Sequence, residues 1–560
     1  MKKIFIYTAI LATIATACSK IENETIQKGE NPDSDVVMIT EKVSANVNPS
    51  SKADIDADAK FTWSTGDQLA VHVSDGKYYT TTALVSGGSN TAEFSVTYPD
   101  GKSRDAFAIY PASIVAESAA NYGQSGTSLD VTLPSSYTLA QVSGTTTPCP
   151  MIATNTPGSG WTFKQLCGLL RLTINGIPAD ATGMVIQFPG KKVNGAFSIS
   201  APVTTGTSTI ATAAPADGED KITVSFDAGL TSATVNLPLP TGDYEDVFIT
   251  PVGSATKVAA VRHIKAGGYT AVKAHAKKLT TTMVSFSVSA SKKVVFAPGN
   301  LWAIYKKSSN SWTWSFAPRQ SDIIGYGPGN TLVNGDFKLS GDGTVDLFSF
   351  STSTSYWGIR NTGSDGDYSG NVLRDWGSNV ISGYSANTWF TLSKDEWKFV
   401  TGRDTYRNTG GTVAGVNNAL CTRAVVNGVK GFIIFPDHYS GLTPSGVNWV
   451  LIQDGHYSNP DANEGWTSDK VSTVTTLEAW EALENEGCVF LPVAGMRLQY
   501  VLLYIEGGYG GYTEPHGMYA SSTYKNDATT YCMRFNYDGY DPENYANRRY
   551  GLSVRLVHEL

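Results

Sequence analysis

The sequence predicts a mainly β protein with two tandem β-sandwich domains followed by an α+β domain. Three observations carry this prediction. Residues 36–283 consist of short alternating stretches separated by turn residues, only 16% of all residues are charged, and ten of the twelve Trp lie in residues 284–560. Globular proteins average about 25% charged residues. The low charge, together with 55 Gly, is typical of extracellular β proteins rather than of cytosolic helical enzymes.

The first residues predict export. Lys2 and Lys3 precede an apolar stretch at 4–17, as in a secretory signal peptide at residues 1–17. The segment ATAC at 15–18 resembles the lipobox of bacterial lipoproteins, which implies that Cys18 becomes the acylated N-terminus. The alternative is an ordinary signal peptide with an incidental Cys. A transmembrane helix is disfavoured because the run is shorter than ~20 residues. Residues 18–35 are polar and without aromatics, which predicts a disordered tether.

Charge and cysteine usage exclude several classes of function. The net charge of −8 without a basic cluster argues against nucleic acid as a partner. Besides Cys18, the cysteines are an odd number and widely spaced, with no C-x-x-C, so neither a disulfide framework nor a zinc site is predicted. We expect them to be buried small hydrophobic residues. They are Cys149, Cys167, Cys421, Cys488 and Cys532.

Alternation predicts the strands of the first two domains, which we place at 36–155 and 156–283. In GDQLAVHVSDG at 66–76, Leu69, Val71 and Val73 share one face, and Asp-Gly closes a turn. In CGLLRLTINGIP at 167–178, the Leu and Ile at 170, 172 and 174 form one face. No helix-period run interrupts these stretches, so two sandwiches are the simplest solution.

Four segments of this part stand out: FTWSTGDQLAVHV at 61–73, AFAIYPAS at 106–113, FKQLCGLLRLTINGI at 163–177 and IKAGGYTAV at 264–272. In this order they resemble the successive motifs of the fimbrillin family of Bacteroidetes. The resemblance implies two transthyretin-like sandwiches, export as a lipoprotein, and a role in adhesive pili or on the cell surface. It also implies other pilus subunits as partners, bound by donor-strand insertion, a form of β-augmentation.

The chain departs from the family pattern in two ways. No Arg precedes Arg104, so an early site for an Arg-directed protease is missing, although Lys28, Lys42 and Lys52 could serve another protease. Residues 284–560 follow the second sandwich, so the chain does not end in a spare strand. We therefore expect a terminal or solitary adhesin rather than a polymerising stalk subunit.

Residues 284–560 predict an α+β domain with long loops. In TLSKDEWKFV at 391–400, Ser393 and Glu396 form a capping box, and TTLEAWEALENEG at 475–487 begins at a Thr and stops at Gly487. Short strands surround these helices: KKVVFAPGNL at 292–301, VKGFIIFPD at 429–437, CVFLPVAGMR at 488–497 and GLSVRLV at 551–557.

Further segments of this part are distinctive, and they include FSVSASKKVVFAPGNL at 286–301, DWGSNVI at 375–381, VNGVKGFIIFPD at 426–437, GCVFLPVAGMR at 487–497, YASST at 519–523 and RRYGLSVRLV at 548–557. Together they resemble the Fibrobacter succinogenes major paralogous domain. The resemblance implies a fold similar to C-type lectins and to the formylglycine-generating enzyme. That enzyme uses neighbouring Cys in its closing segment, which here holds only Cys532. No H-E-x-x-H or G-x-S-x-G motif is present, so we predict no enzyme and no cofactor.

A calcium site is the alternative weighed against no metal. C-type lectins hold Ca²⁺ through a Glu-Pro-Asn loop and a later Asn-Asp, and TEPHGM followed by YKNDAT at 513–529 places Glu514, Asn526 and Asp527 in a loosely similar order. Oxygen ligands on a loop suit Ca²⁺. The competing interpretation is ordinary turn residues.

Tyrosines crowd the end of the chain. Eleven Tyr lie between Tyr500 and Tyr550, among Gly and Asn, as on contact surfaces that use rigid aromatic side chains. The candidates for stacking on a sugar or a partner are Tyr509, Tyr512, Tyr519 and Tyr524. The alternative is that these rings pack the loops together.

The sequence as a whole predicts a surface-anchored adhesion lipoprotein. We expect a tip or accessory fimbrillin-type adhesin, held in the outer membrane by its lipid and displayed on the surface or on a fimbria, with a host or dietary glycan or a surface protein as ligand. The alternative is a stand-alone glycan-binding lipoprotein that is not assembled into pili.

Overall fold

The computed structural model describes residues 37–47, 63–115, 128–143, 150–155, 160–200, 218–271, 276–327, 329–330, 339–353, 357–359, 370–403, 407–451, 465–498, 501–505, 514–537 and 539–560. Strands dominate these residues, which confirms the prediction of a mainly β protein. The predicted signal peptide, Cys18, the tether, Tyr509 and Tyr512 lie outside the described residues. No described helix has the length and apolar character needed to cross a membrane.

The first part of the chain forms a rolled seven-stranded sheet. Its region contains β1 (Met38–Val47), β2 (Ala70–Val73), β3 (Tyr78–Thr80), β4 (Thr91–Pro99), β5 (Arg104–Tyr110), β6 (Ser128–Leu133), β7 (Ser136–Thr138), β8 (Met151–Asn155) and β9 (Trp161–Gln165), with a 3₁₀ helix at Ala112–Ile114 and helix α1 at Leu139–Val142. The sheet order is β3-β2-β5-β8-β9-β1-β4. Thr82 N, just after β3, donates to Ser95 O of β4 at 2.9 Å, so the two ends of the sheet meet.

Trp63 lies at the centre of this rolled sheet. Its ring packs edge-on against Phe94 and Phe163, with centroids 5.0 and 5.3 Å away, and its Nε1 donates to Ala45 O of β1 at 3.1 Å. The predicted inward face of Leu69, Val71 and Val73 is fully buried here. The core of the first region therefore ties β1 to strands that are distant in sequence.

The second part of the chain forms two facing sheets. Its strands are β10 (Gly168–Asn175), β11 (Gly183–Gln187), β12 (Gly195–Ser200), β13 (Lys221–Ser225), β14 (Ser232–Leu239), β15 (Gly242–Tyr244), β16 (Asp246–Val252), β17 (Ala260–His263), β18 (Tyr269–Ala271) and β19 (Ala276–Thr282). The sheets have the orders β14-β10-β19 and β17-β16-β11-β13-β7. The predicted face at 170, 172 and 174 is fully buried between them.

Hydrogen bonding crosses the predicted division at 155/156. Strand β9 belongs to the first sheet, whereas β6 pairs with β12 and β7 pairs with β13 of the second part. The outer face of the first sheet explains the exchange, because Ala70, Ile109 and Ile152 pack against Leu133 and Phe197 from the β6–β12 pair. The first sheet is thus apolar on both faces, and the second region covers the outer one.

The third part of the chain combines short strands with two helices. Its strands are β20 (Phe286–Ser287), β21 (Lys293–Phe296), β22 (Leu301–Lys306), β23 (Ser311–Phe316), β24 (Gly343–Val345), β25 (Leu347–Phe348), β26 (Phe390–Thr391), β27 (Gly411–Val413), β28 (Val416–Ala419), β29 (Cys421–Val426), β30 (Val429–Ile434), β31 (Val447–Asn448), β32 (Ser472–Val474), β33 (Val489–Pro492), β34 (Met496–Leu498), β35 (Val501–Leu503), β36 (Gly517–Tyr524), β37 (Thr529–Asn536), β38 (Gly539–Asn547), β39 (Leu552–Ser553) and β40 (Leu556–Glu559). Helices α2 (Lys394–Thr401) and α3 (Leu477–Asn485) and a 3₁₀ helix at Trp376–Ser378 complete it.

Both predicted helices form where their caps place them. In α2, the Ser393 hydroxyl accepts from Glu396 N and the Glu396 carboxylate accepts from Ser393 N, at 3.3 and 2.8 Å. Helix α2 ends at Gly402 in the left-handed conformation. Helix α3 begins where Thr476 Oγ1 accepts from Ala479 N at 3.1 Å. The closing segment is divided between two sheets, since β39 joins β25 and β36 while β40 lies between β21 and β26.

A polar junction joins the second and third parts. His263 of β17 lies with Nδ1 2.5 Å from the Asp246 carboxylate and Nε2 2.7 Å from Ala317 O of the third part. Next to it, Arg262 donates to Glu484 and Asn485 at the end of α3, at 3.1 and 2.8 Å. Directional contacts of this kind fix how the third part is held on the second sandwich.

Candidate functional site

Tyr519 lies in the core and not on the predicted contact surface. It is fully buried, and its hydroxyl donates to Pro492 O at 3.0 Å and accepts from Asn300 Nδ2 at 3.1 Å. Its ring stacks on Phe535 at 5.9 Å. The prediction that Tyr519 stacks on a ligand is therefore wrong, because the first five residues of β36, Tyr519 among them, are buried on both faces of the strand.

Tyr524 lies at the end of β36 and is partly buried. Its hydroxyl donates to Asp527 at 2.6 Å, and the Arg548 guanidinium lies 5.2 Å from its ring centre. The Asp527 carboxylate raises the pKa of the Tyr524 phenol by accepting this hydrogen bond. Tyr524 thus remains at the surface, with its polar end occupied by the neighbouring turn.

The three calcium candidates are not brought together. Glu514 precedes β36, whereas Asn526 and Asp527 lie in the turn that follows it, and a strand of eight residues spans roughly 26 Å. Asn526 Oδ1 accepts from Ala528 N and from both donors of Thr529, at 2.9 to 3.0 Å. These residues shape a turn, so the calcium alternative is not supported. No group of three metal-ligating side chains occurs within the described ranges.

The four described cysteines are buried, as predicted, and their thiols are free. Burial raises the pKa of the Cys421 and Cys532 thiols to about 12. Burial also raises the pKa of the Cys488 thiol. Protonated thiols in apolar surroundings are poor nucleophiles and poor metal ligands. Cys149 lies outside the described residues.

A surface that the sequence did not predict is formed by Trp314, Trp357 and Arg374, which we call the platform. The Trp314 and Trp357 rings meet edge to face, with centroids 6.0 Å apart. The Arg374 guanidinium lies 5.6 Å from the centre of the Trp357 ring. Both indoles are partly exposed and Arg374 is exposed, so the platform faces solvent.

Trp357 is held in an unusual backbone conformation. Its φ of 52° is left-handed, which is rare for a bulky residue. This conformation costs energy and persists only where the surrounding structure enforces it. Trp357 O accepts from Trp376 Nε1 at 2.8 Å, and Arg497, which is fully buried, donates to Gly358 O and Ile359 O at 3.2 and 2.7 Å. The core thus fixes the loop that presents the Trp357 indole.

Arg374 is fixed by its backbone, and its side chain is exposed. Arg374 N donates to Ser351 O at 2.8 Å. The next residue, Asp375, turns inward, where its carboxylate accepts from Gly377 N and Thr391 N, both at 2.9 Å. Burial raises the pKa of Asp375, although these hydrogen bonds act in the opposite direction. Arg374 forms no ion pair within the described ranges.

A second aromatic surface, which we call the hairpin face, is formed by Lys525, Tyr531 and Tyr545. The two tyrosines lie opposite each other in the antiparallel pair β37–β38. The Lys525 ammonium lies 2.9 Å from the centre of the Tyr545 ring and 5.4 Å from that of Tyr531. Tyr545 is 54% exposed, so this face is open to solvent.

Arg548 connects the hairpin face with the loops around the platform. Its guanidinium lies 5.2 Å from the ring centres of Phe350 and Tyr524, and its Nη2 donates to Gly370 O. Phe350 N donates to Arg548 O at 2.9 Å. The platform and the hairpin face are therefore built on one packed framework.

These two surfaces can bind a ligand but show no catalytic arrangement. Aromatic faces beside cations favour contact with sugar rings, aromatic groups or anions. The sequence signals were the excess of Trp and Tyr in this region, but the spacing of the platform residues follows no motif. Only the structure brings Trp314, Trp357 and Arg374 together.

No protein-family model matches the chain, and no curated protein matches it. Among solved structures, a candidate cell adhesion protein from Bacteroides ovatus ATCC 8483 is 14% identical, with a TM-score of 0.29 over 43% of this chain and 91% of that chain. The C-terminally truncated tip fimbrial protein Mfa3 from Porphyromonas gingivalis is 14% identical, with a TM-score of 0.18 over 41% and 80%. A candidate cell adhesion protein from Bacteroides fragilis NCTC 9343 is 11% identical, with a TM-score of 0.22 over 50% and 98%. These likenesses are too slight to assign the chain to a family.

Proposed function

We propose that this protein is a surface-anchored lipoprotein of cell adhesion, a tip or accessory fimbrillin-type adhesin whose third part is the ligand-binding domain. The observation that carries the proposal is the platform, where the core holds a partly exposed indole in a strained backbone conformation. Beside it lies Arg374, which forms no ion pair with the described residues. Strain that the core sustains at a partly exposed aromatic residue is typical of binding sites.

The first part supports a subunit that keeps its first strand. Strand β1 pairs with β4 from Met38 to Asn46 and with β9 from Ala45 to Val47. Arg104, the first Arg of the chain, donates to Glu41 of β1 at 2.5 Å and packs over Trp161. Because its side chain is engaged inside the sheet, Arg104 is a poor protease site. This favours a terminal or accessory position over a stalk position, which requires donor-strand exchange.

The pairing of β1 within the first sheet also favours the second candidate, a stand-alone glycan-binding surface lipoprotein. A protein that keeps β1 need not enter a pilus, and both candidates use the platform in the same way. They differ in location, since a tip subunit appears once at the end of each fibre and a stand-alone lipoprotein lies on the bare cell surface.

Immunogold electron microscopy with an antibody against residues 284–560 distinguishes these positions. Label at fibre ends supports the tip position, and label on the bare cell surface supports the stand-alone lipoprotein. Label repeated along fibre shafts would show that the chain polymerises and would overturn both. Fractionation of a Cys18→Ala variant tests the anchor, because the variant is expected to leave the membrane fraction if Cys18 carries the lipid.

A further inference from the structure

The platform carries a positive charge, on Arg374, that no carboxylate of the described residues pairs with. Arg374 lies over the Trp357 ring, and the carboxylate nearest to it in sequence, Asp375, is directed to backbone donors instead. Within the described part of the chain, Arg374 forms no ion pair and no side-chain hydrogen bond. The guanidinium therefore keeps its donors for solvent or for a ligand.

The chemistry of the guanidinium indicates which ligand it recognises. It is planar and carries five N–H donors in its plane. These in-plane donors match the two oxygens of a carboxylate, which can accept two parallel hydrogen bonds. An ammonium in the same place would provide a point charge without this match.

The hairpin face independently shows the same combination of aromatic rings beside a cation. The Lys525 ammonium lies between Tyr531 and Tyr545, and no carboxylate of the described residues forms an ion pair with it. By contrast, the neighbouring Lys394 is already paired with Asp395 and Glu543. Each of these two aromatic surfaces thus presents a cation that has no counter-ion among the described residues, although the whole chain has a net charge of −8.

We propose that the platform binds an acidic saccharide, with the sugar ring against the Trp357 and Trp314 indoles and the sugar carboxylate on the Arg374 guanidinium. The inference rests on the ligand-binding function proposed above and names the class of its ligand. A neutral sugar provides the ring but leaves the arginine unpaired. A polyanion without sugar carboxylates provides negative charge, but it lacks the carboxylate whose two oxygens can accept two parallel hydrogen bonds from the guanidinium.

Binding of the full mature chain to polygalacturonate tests the charge requirement directly. Methyl-esterified polygalacturonate keeps the same sugar rings and removes the carboxylate charge, neutral galactan has no carboxylate, and dextran sulfate provides charge of another geometry. We expect affinity for polygalacturonate to exceed that for its ester by about tenfold or more, as for loss of one charge-assisted bidentate contact. Dextran sulfate is expected to bind more weakly than polygalacturonate.

Two variants separate charge from stacking. Arg374→Gln is expected to lower affinity for polygalacturonate about tenfold and to leave affinity for the ester unchanged, whereas Trp357→Ala is expected to weaken both. Arg319→Gln removes another exposed arginine and is the matched control. Because Arg374 is exposed, its variant is expected to fold, and its melting temperature checks this.

The outcomes distinguish the ligand class from the function itself. Equal affinity of wild type and Arg374→Gln for polygalacturonate, with loss in Trp357→Ala, would overturn the acidic class and retain the ligand-binding site. Tighter binding of galactan than of polygalacturonate would do the same. Binding that neither variant changes would overturn both the inference and the proposed site.

Discussion

At the scale of single residues, the direction of each aromatic ring decides whether it supports the fold or the surface. Tyr519 and Tyr524 belong to the same strand, but Tyr519 is buried against Phe535 while Tyr524 reaches the turn. The first five residues of β36 are buried, whereas the last three, which include Tyr524, are only partly buried. The sequence predicted that tyrosines would matter in this segment, but it gave the same role to a ring in the buried part of the strand and to a ring at its end.

Tyr519→Phe is expected to lower the free energy of unfolding of the third part by about 1–3 kcal/mol, because Pro492 O and Asn300 Nδ2 lose their buried partner. Ligand binding is expected to persist. Tyr545→Phe is the matched control, since Tyr545 is exposed and its loss of a hydroxyl should change stability by less than about 0.5 kcal/mol. Urea denaturation of both variants measures the difference. Equal stability would show that the Tyr519 hydroxyl is not structural.

Calcium is expected to leave the melting temperature unchanged, because Asn526 and Asp527 are used within their turn and Glu514 lies beyond the other end of β36. A ligand that binds only the folded protein must raise its stability. Differential scanning calorimetry with millimolar Ca²⁺ and with EDTA makes the comparison. A rise of several degrees in calcium would show that these residues, or others, form a site after all.

At the scale of elements, the sequence predicted features that depend on neighbouring residues, but not features that depend on residues far apart in the chain. The capping box of Ser393 and Glu396 predicted α2, and alternation predicted the buried face of β10, because caps and side-chain periodicity depend on neighbours in sequence. The platform could not be predicted in this way. Trp357 takes its conformation from Trp376 and Arg497, which are distant in sequence.

The sequence also did not predict that β6 and β7 of the first part pair with β12 and β13 of the second part. Alternation in β2 showed one apolar face, but Ala70 and His72 on its other face are buried as well. A strand with two buried faces needs a second layer, which β6 and β12 supply. Composition alone does not reveal which later strands form that layer.

The bond after Arg104 is expected to resist Arg-specific proteolysis, so that β1 stays attached to the rest of the chain. Arg104 is bound to Glu41 with only 18% of its side chain exposed, and it lies in β5 between β2 and β8. Intact-mass measurement after limited digestion should find the bond after Arg104 uncut in the native chain, and light scattering should find a monomer. Arg104→Lys, digested with a Lys-specific protease, is the matched control. Rapid cleavage at 104 followed by oligomers would identify a polymerising subunit.

At the scale of the whole molecule, the polar junction sets how the third part is presented. Both ring nitrogens of His263 face acceptors, the Asp246 carboxylate and Ala317 O, so both contacts are complete only when the site holds the extra proton. Burial by itself lowers the pKa of His263, but the charge of Asp246 and these hydrogen bonds outweigh it and raise the pKa above 6.5. Both hydrogen bonds of His263 across the junction are therefore best formed at mildly acidic pH.

Stability is expected to fall as pH rises from 6 towards 9. A histidine whose pKa is raised in the folded state stabilises it fully below its unfolded pKa, and this contribution is lost as pH rises through the folded pKa. His263→Gln should flatten the dependence, while His438→Gln, at an exposed site, should not. Melting temperatures across this pH range provide the comparison. A steeper dependence in His263→Gln would contradict the assigned protonation.

The most direct test of an adhesion protein with a ligand-binding platform is a bead adhesion assay. Beads carrying the mature chain are applied to surfaces coated with polygalacturonate, galactan or mucin, and the retained beads are counted. We predict retention of wild-type beads on at least one surface, the same retention for Arg319→Gln, and a loss of about tenfold for the double variant Trp357→Ala/Arg374→Gln. Retention of the double variant at the wild-type level would show that adhesion does not use the platform and would contradict the account.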